Sequence, residues 1–353
     1  MLKILPYLKL AVEKNASDIF FTSNAPAMLK IEGEMLSVGK TLMSSMLIRE
    51  LAESILTPEQ LKHYDDHMEI DLATDAGGLG RFRINIFTQR NSTAMVLRYV
   101  KAEIPTVEKL GVPEVLKDLI MLKRGMILMV GATGSGKSTT LAAMLDHRNE
   151  NAAGHILTIE DPIEFIHPNK RSIVNQREVG TDTESYARAL KSSLREAPDA
   201  ILIGEVRVRE TMDAVIQLAN TGHLAISTLH ANNAYQALQR VVNLYPDELR
   251  DQLYMDLSMT LRAIVSQRLV RRKDGRRCAA VEVMINTPYI ADLILNRKIE
   301  EVKEAMSNSS DRGMLTFDNS LFKLYTDGLI DIEEALSNAD SRTNLEAKIN
   351  FGV

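Results

Sequence analysis

Cysteine and aromatic residues are scarce in this chain. Of its 353 residues only Cys278 is a cysteine, and tryptophan is absent. A single cysteine cannot form a disulfide within the chain, which fits a reducing compartment. It also cannot supply the four thiolates of a tetracysteine zinc site. Disulfide-stabilised secreted domains and cysteine-rich zinc modules are therefore excluded.

Long apolar runs and an excess of basic residues are also missing. No run approaches the roughly 20 apolar residues that span a bilayer, and the N-terminus lacks the apolar core of a signal peptide. The formal net charge is −5 and aromatic residues make up 5%, a composition that disfavours nucleic-acid binding. We expect a cytoplasmic protein with no direct membrane insertion and no nucleic-acid partner.

The length predicts two domains, because single cores stop growing at about 250–300 residues. Residues 1–100 show the pattern of a compact α/β domain. Within it, residues 81–87 alternate Phe82, Ile84 and Ile86 with basic or polar side chains, which predicts a strand with one buried and one basic face. Residues 101–113 contain two prolines and are predicted to be the linker to a second domain at 114–353.

The second domain alternates apolar runs with helical periodicity, which is typical of a parallel sheet with crossover helices. Strands are predicted at 127–130, 156–159, 200–203 and 224–227. Helices are predicted between them at 139–149, 186–196 and 210–220. Beyond Tyr245 we expect mostly helix, with one late strand at 281–285. The predicted fold class is therefore α/β.

A phosphate-binding loop follows the first of these strands. It fits the pattern G-x-x-x-x-G-K-[ST], in which glycines let backbone N–H groups converge on phosphates at a helix N-terminus. Lys137 places a point charge against the β- and γ-phosphates, and Ser138 offers a hydroxyl to Mg²⁺. The residues predicted to bind a nucleoside triphosphate are Gly131, Ala132, Thr133, Gly134, Ser135, Gly136, Lys137, Ser138 and Thr139.

Two acidic residues follow later strands. Glu160 comes directly after the second predicted strand, and Glu205 after the third, where Gly204 holds the place of the usual Walker B aspartate. Because ligands of open α/β sheets bind at the carboxyl ends of the strands, we expect both carboxylates near the nucleotide. We assign Glu160 as the general base and Glu205 as the group that holds Mg²⁺ or its bound water. The reverse assignment stays open.

Two histidines bracket the fourth strand, His223 before it and His230 after it. An imidazole near the γ-phosphate can act as a sensor or stabilise charge, so both are candidates for that role. His63 and His67 have a metal-binding spacing, but no further ligand supports a site and a polar helix face is favoured. The basic cluster around Asp274 predicts a solvated hairpin, with an interface role as the alternative and nucleic-acid binding as a further one.

The four motifs, in this order, resemble those of the secretion ATPases of type II secretion and type IV pili. That family has a Walker A loop, an Asp box, a Walker B motif and a His box. Here they are matched by the phosphate loop, the Glu160 segment, Gly204-Glu205 and the stretch 221–230. The resemblance covers most of the chain, including A-S-D at 16–18 and G-R-F-R at 80–83.

The resemblance implies a PAS-like N-terminal domain and a RecA-like ATPase domain with a helical C-terminal part, assembled as a homo-hexamer. It also implies ATP and Mg²⁺ bound between the domains, with arginines of the N-terminal domain or of a neighbouring subunit completing the site. Arg81, Arg83 and Arg98 match that pattern best, and Arg240 and Arg262 are alternatives. Arginine suits the role because its planar fork binds phosphate oxygens bidentately.

Within the family, the chain resembles the retraction branch of the PilT and PilU types. The assembly branch carries a tetracysteine zinc site, which a single cysteine cannot form, and an additional N-terminal domain, for which we expect no room in 353 residues. Two departures resemble the PilU type: Val208 replaces an aspartate, and residues 291–298 replace the A-I-R-N-L-I-R-E segment of PilT-like sequences. Because that segment is tied to retraction, retraction by this protein alone is not implied.

These observations predict a motor ATPase that hydrolyses ATP to power or assist type IV pilus retraction. We expect it to lie in the cytoplasm, peripheral to the inner membrane. Its expected partners are another retraction ATPase and the inner-membrane platform protein of the pilus. An accessory ATPase that binds and regulates another retraction ATPase is the alternative, and a nucleic-acid translocase is a further one.

Overall fold

The computed structural model describes residues 3–31, 33–76, 78–100, 103–309, 311 and 313–351. The chain divides into two compact units, one of Met1–Glu103 with Glu164–Ile166 and the other of Ile104–Ile163 with His167–Val353. The change of unit falls inside the stretch 101–113 expected to be a linker, whose first two residues lie outside the described residues. No helix among the described residues is long and apolar enough to cross a membrane.

The first unit is an antiparallel sheet with helices. Its described strands lie in the order β3-β2-β1-β6-β5-β4. The strands are β1 (Asp18–Phe21), β2 (Ala27–Ile31), β3 (Glu34–Val38), β4 (Glu69–Asp75), β5 (Arg81–Gln89) and β6 (Ser92–Val100). The helices are α1 (Leu5–Glu13), α2 (Ser45–Glu53) and α3 (Pro58–His67). Phe82, Ile84 and Ile86 on β5 are buried in its core, so the predicted apolar face is confirmed.

The second unit is a mostly parallel sheet with helices. Among the described residues its strands lie in the order β13-β12-β7-β11-β10-β8-β9, and only β13 runs antiparallel to its neighbour. The strands are β7 (Gly125–Val130), β8 (Gly154–Glu160), β9 (Ser172–Glu178), β10 (Ala200–Ile203), β11 (Leu224–Leu229), β12 (Leu261–Arg271) and β13 (Arg277–Ile285). The α/β class is thus confirmed for the chain.

The helices of this unit cover the sheet and continue beyond it. They are α4 (Val107–Leu110), α5 (Val115–Ile120), α6 (Lys137–Asn151), α7 (Tyr186–Ser193), α8 (Arg209–Asn220), α9 (Ala234–Asn243), α10 (Arg250–Thr260), α11 (Pro288–Leu295), α12 (Val302–Ser307), α13 (Phe317–Thr326), α14 (Ile332–Ser337) and α15 (Arg342–Phe351). Two 3₁₀ helices lie at Asp247–Leu249 and Ile299–Glu301. Side chains cap several of them; Asn233, for example, accepts from the N–H of Gln236 at the start of α9.

The late strand expected at 281–285 is confirmed as the end of β13, whereas the expectation of helix is wrong at β12 and at the start of β13. These two strands are 11 and 9 residues long and form an antiparallel hairpin at the sheet edge next to β7. Their polar residues are buried in places, so the alternation that marks a half-exposed strand is missing. The turn falls at Asp274-Gly275, as the predicted hairpin requires.

Candidate nucleotide-binding site

The phosphate loop connects β7 to α6, at the carboxyl end of a strand whose six residues are all buried. Gly131, Gly134 and Gly136 have φ angles of 153°, 76° and 85°. A Cβ on Gly131 would lie 2.5 Å from the carbonyl oxygen of Gln267, and one on Gly136 would lie 2.7 Å from Gln267 Nε2. At these two positions glycine is required by the available space as well as by the backbone conformation.

The Lys137 ammonium is hydrogen-bonded to the backbone of the phosphate loop. Its Nζ donates to the carbonyl oxygens of Gly131 at 2.8 Å and Ala132 at 2.9 Å. Helix α6 begins at this lysine, and its N-cap residue Gly136 has no side chain to satisfy the first N–H groups. A helix N-terminus and an ammonium attract negative charge, so a phosphate group fits this cradle.

A glutamine of β12 contacts the loop from the side of the sheet. Gln267 is 2% exposed, donates from Nε2 to the carbonyl oxygen of Ser135 at 2.8 Å, and accepts at Oε1 from Thr140 Oγ1 at 2.8 Å. Gln267 was not expected in the site, because its strand was predicted to be helix. Gln267 could have been found only if β12 had been recognised as a strand that pairs with β7.

The structure places Glu160, Glu205 and His230 at the end of the sheet where the carboxyl ends of the parallel strands meet. Each stands at or after the carboxyl end of its strand, β8, β10 or β11, and these strands run parallel to β7, with β11 next to it. Glu205 Oε1 lies 3.2 Å from His230 Nε2, and Glu205 Oε2 accepts from Arg207 Nε at 2.8 Å. Arg207 was not expected among the site residues.

Glu160 is held from two sides at the end of β8. Its Oε1 accepts from Thr158 Oγ1 at 2.6 Å and from Gln176 Nε2 at 3.3 Å. These bonds fix the direction of one carboxylate oxygen at the edge of the sheet that carries the phosphate loop.

Tyr186 fills the space next to Gly204. A Cβ on Gly204 would lie 2.6 Å from Tyr186 Oη, so the phenol stands where the side chain of the usual Walker B aspartate would begin. Burial, together with the nearby charges of Asp161 and Glu160, raises the pKa of the Tyr186 phenol. The hydroxyl therefore stays protonated well above neutral pH. The sequence predicts a helix from Tyr186 but gives no sign of this contact.

His223 lies at the opposite end of the sheet. It precedes β11, and its carbonyl oxygen accepts from the N–H of Gly125, where β7 begins. The loop follows the other end of β7. The structure therefore does not bring His223 to the phosphate loop, contrary to the expectation for it. Arg262, one of the alternative arginines, also lies at this end, with its Nε 3.4 Å from the carbonyl oxygen of Arg124.

The three candidate arginines of the first unit share one face of its sheet. Arg81 and Arg83 alternate with the buried Phe82 on β5, and Arg83 lies directly opposite Arg98 on β6. Arg98 Nε donates to Asp18 Oδ1 at 2.8 Å. The predicted basic face is present.

A cavity of about 620 Å³ opens beside the loop in the second unit. Residues 131–135 of the loop, Asn232 after β11 and Arg268 of β12 line it. Arg268 is held by Asp340 Oδ1 at 2.6 Å and by the carbonyl oxygen of Asn338 at 2.6 Å. A polar cavity next to a phosphate cradle suits the remainder of a nucleotide.

Known proteins resemble this chain over most of its length. Residues 3–316 match the family described as "Type II/IV secretion system protein". The chain is 49% identical to the type IV pilus ATPase PilU of Pseudomonas aeruginosa over 346 residues, which cover 98% of this chain and 91% of that protein. It is 39% identical to the type IV pilus retraction ATPase PilT of the same organism, over 95% of this chain and 98% of that one.

A solved structure agrees with the sequence relatives. The crystal structure of the pilus retraction motor PilT with bound ADP is similar to this chain with a TM-score of 0.91 and 40% identity, over 97% of this chain and 98% of that one. Family match, identity and fold point the same way: the chain belongs to the type II/IV secretion system protein family.

Proposed function

We propose that the chain is an ATPase that powers or assists the retraction of type IV pili. The observation that carries this proposal is the position of the Lys137 ammonium within a glycine loop, at the sheet edge where Glu160, Glu205 and His230 also stand. Relatives named as type IV pilus ATPases, of which the chain covers more than nine-tenths, support the biological role.

We assign each residue of the nucleotide site a role that follows from its chemistry. The loop N–H groups and Lys137 bind the phosphates. Ser138 and Glu205 would hold Mg²⁺, which when bound would neutralise charge on the phosphates. Glu160 acts as the general base on the attacking water. His230 contacts Glu205 at 3.2 Å and thus links that carboxylate to the loop that begins α9. His223 is left out because of its place at the far end of β11.

The proposal extends to architecture and partners. We assign residues 1–100 to a PAS-like domain, 101–113 to a linker and 114–353 to a RecA-like ATPase domain, assembled as a homo-hexamer. The name of the solved relative, a pilus retraction motor with bound ADP, supports ATP as the nucleotide. Arg81, Arg83 and Arg98 complete the site from a neighbouring subunit. The platform protein of the pilus at the inner membrane is the proposed docking partner.

An accessory ATPase that acts on a second retraction ATPase is the other candidate function. The observation that favours it is the sequence of residues 291–298, most of which lie in α11, where the segment tied to retraction in PilT-like sequences is replaced. Both functions use the same nucleotide site. Pilus retraction measured in cells that lack the second ATPase distinguishes them, because continued retraction contradicts the accessory role.

Steady-state turnover tests the site. We expect Lys137→Ala to lose MgATP binding and turnover, whereas Lys170→Ala, which changes a lysine paired with Asp146 and Glu150 on the outside of α6, keeps both. Glu160→Gln should lower kcat by roughly 100-fold or more, with little change in the Mg²⁺ requirement. Glu205→Gln should chiefly raise the Mg²⁺ concentration needed. Wild-type turnover in both glutamine variants would refute the proposed mechanism.

A further inference from the structure

Gln267 uses both ends of its carboxamide on the phosphate cradle. Nε2 donates to the carbonyl oxygen of Ser135, and Oε1 accepts from Thr140 Oγ1, both at 2.8 Å. Ser135 lies in the loop before α6, and Thr140 lies in the first turn of that helix. Gln267 and Thr140 are both at least 98% buried. One side chain of β12 thus holds the loop and the start of its helix together.

Within the loop, the Ser135 N–H donates to the carbonyl oxygen of Ala132 at 3.2 Å, but this bond does not connect the loop to the sheet. Ala132, Thr133 and Gly134 are exposed, and a Cβ on Gly134 would meet no atom within 4 Å. Ser135 Oγ is buried without a hydrogen-bond partner among the described residues. Lys137 also contacts the loop, but in the proposed function the same ammonium pairs with the phosphates. An anchor that stays in place when phosphate binds must therefore come from elsewhere.

We infer that Gln267 is a positioning residue of the nucleotide site. It holds the loop in the conformation that aims its N–H groups at the phosphates before the nucleotide binds. This inference rests on the proposed function, since a phosphate-binding role gives the loop its purpose. A loop that is already ordered binds more tightly, because only the competent fraction of conformations contributes to the observed affinity. The effect should appear in affinity rather than in the chemical step.

Replacement by methionine tests the inference. Gln267→Met keeps the length of the side chain and removes both the donor and the acceptor. We expect MgATP to bind roughly tenfold more weakly and KM to rise by a similar factor, with kcat at saturation changed much less. Titration with a fluorescent ATP analogue and steady-state kinetics measure the two quantities. Thr140→Val, which removes only one of the two hydrogen bonds, should give a smaller loss of affinity.

A matched control separates positioning from packing. Tyr245→Phe removes the hydrogen bond that the buried Tyr245 Oη donates to Asp213 Oδ1 at 2.6 Å. This bond joins α8 to the residues that follow α9 and involves no residue of the phosphate loop. It should lower the Tm and leave the KM for MgATP at the wild-type value.

The outcomes are distinct. If Gln267→Met lowers the Tm but binds MgATP like the wild type, Gln267 is a packing residue and the inference is overturned. If Gln267→Met does not fold, Thr140→Val decides, and wild-type affinity in that variant also overturns it. A wild-type chain that does not bind MgATP overturns both this inference and the proposed function, whereas wild-type binding with an unaffected Gln267→Met overturns this inference alone.

Discussion

The residue type at position 204 is limited by Tyr186, which is distant in the sequence but lies against Gly204. A Cβ at the Walker B position would lie 2.6 Å from Tyr186 Oη, so the phenol would have to move to make room for it. Gly204→Asp should therefore lower the free energy of unfolding by about 1–3 kcal/mol and reduce ATP turnover, although it restores the usual Walker B aspartate.

The double variant tests that cause. Tyr186→Phe removes the oxygen that the new side chain meets, so Gly204→Asp should cost less stability in the Tyr186→Phe background than in the wild type. Urea unfolding of the four proteins measures the coupling between the two positions. Additive effects would show that the clash with Tyr186 does not explain the glycine.

Glu282 is a buried acid that makes stability depend on pH. It is 4% exposed on β13, and its Oε1 accepts from the N–H of Ala234 at 2.8 Å and from Ser266 Oγ at 2.9 Å. Burial raises the pKa of the Glu282 carboxyl from 4.5 to about 7. Below the unfolded-state value the carboxyl is neutral in both states. As the pH rises through the folded-state value, the folded chain must bury a charge and loses stability.

Glu282→Gln should remove this pH dependence. The glutamine is always neutral and keeps an oxygen that can accept the same bonds. Between about pH 5 and pH 8 the wild type should lose up to about 3 kcal/mol relative to the variant. Urea unfolding at a series of pH values measures the difference, in which the contributions of other groups cancel. Parallel curves for the two proteins would mean that Glu282 does not titrate in this range.

At the scale of elements, the buried parallel strands could be predicted because their sequence is continuous and apolar. Strands β7, β10 and β11 appear within two residues of the predicted bounds, and all but Thr228 of their residues are buried. Glu160, Glu205 and His230 could be assigned to strand ends for the same reason, because each follows such a run. His223 was misplaced because it belongs to the amino end of its strand, which in a parallel sheet is the edge opposite the loop.

Strands β9 and β12 could not be predicted from local sequence. Strand β9 reads S-I-V-N-Q-R-E and lies at the sheet edge, with Asn175 bonded to His155 on β8 at 2.9 Å. Strand β12 buries Ser266 and Gln267, whose partners lie 16 residues away or more in the chain. Polar side chains are stable inside the protein only when distant residues satisfy their hydrogen bonds. The roles of Tyr186 and Gln267 could not be predicted from the sequence, because they arise from such distant contacts.

In the proposed hexamer, the arginines of one subunit complete the nucleotide site of its neighbour. Arg83 lies on the basic face of the first unit, opposite Arg98, whereas Arg98 is already paired with Asp18. Arg83→Ala should therefore lower turnover strongly without loss of MgATP binding, since an arginine that stabilises developing phosphate charge acts on kcat. Lys137→Ala should abolish both.

Mixing these two inactive variants tests the ring. In a head-to-tail hexamer, an intact loop of one subunit meets an intact arginine of the next at about a quarter of the interfaces when the subunits are mixed equally at random. Co-expressed and co-purified Lys137→Ala and Arg83→Ala chains should thus recover turnover that neither variant has alone. Each variant mixed with the wild type gives the dilution reference. If the mixed rings stay inactive while the wild-type dilutions keep turnover, the arginine acts within its own subunit, because a shared site requires complementation.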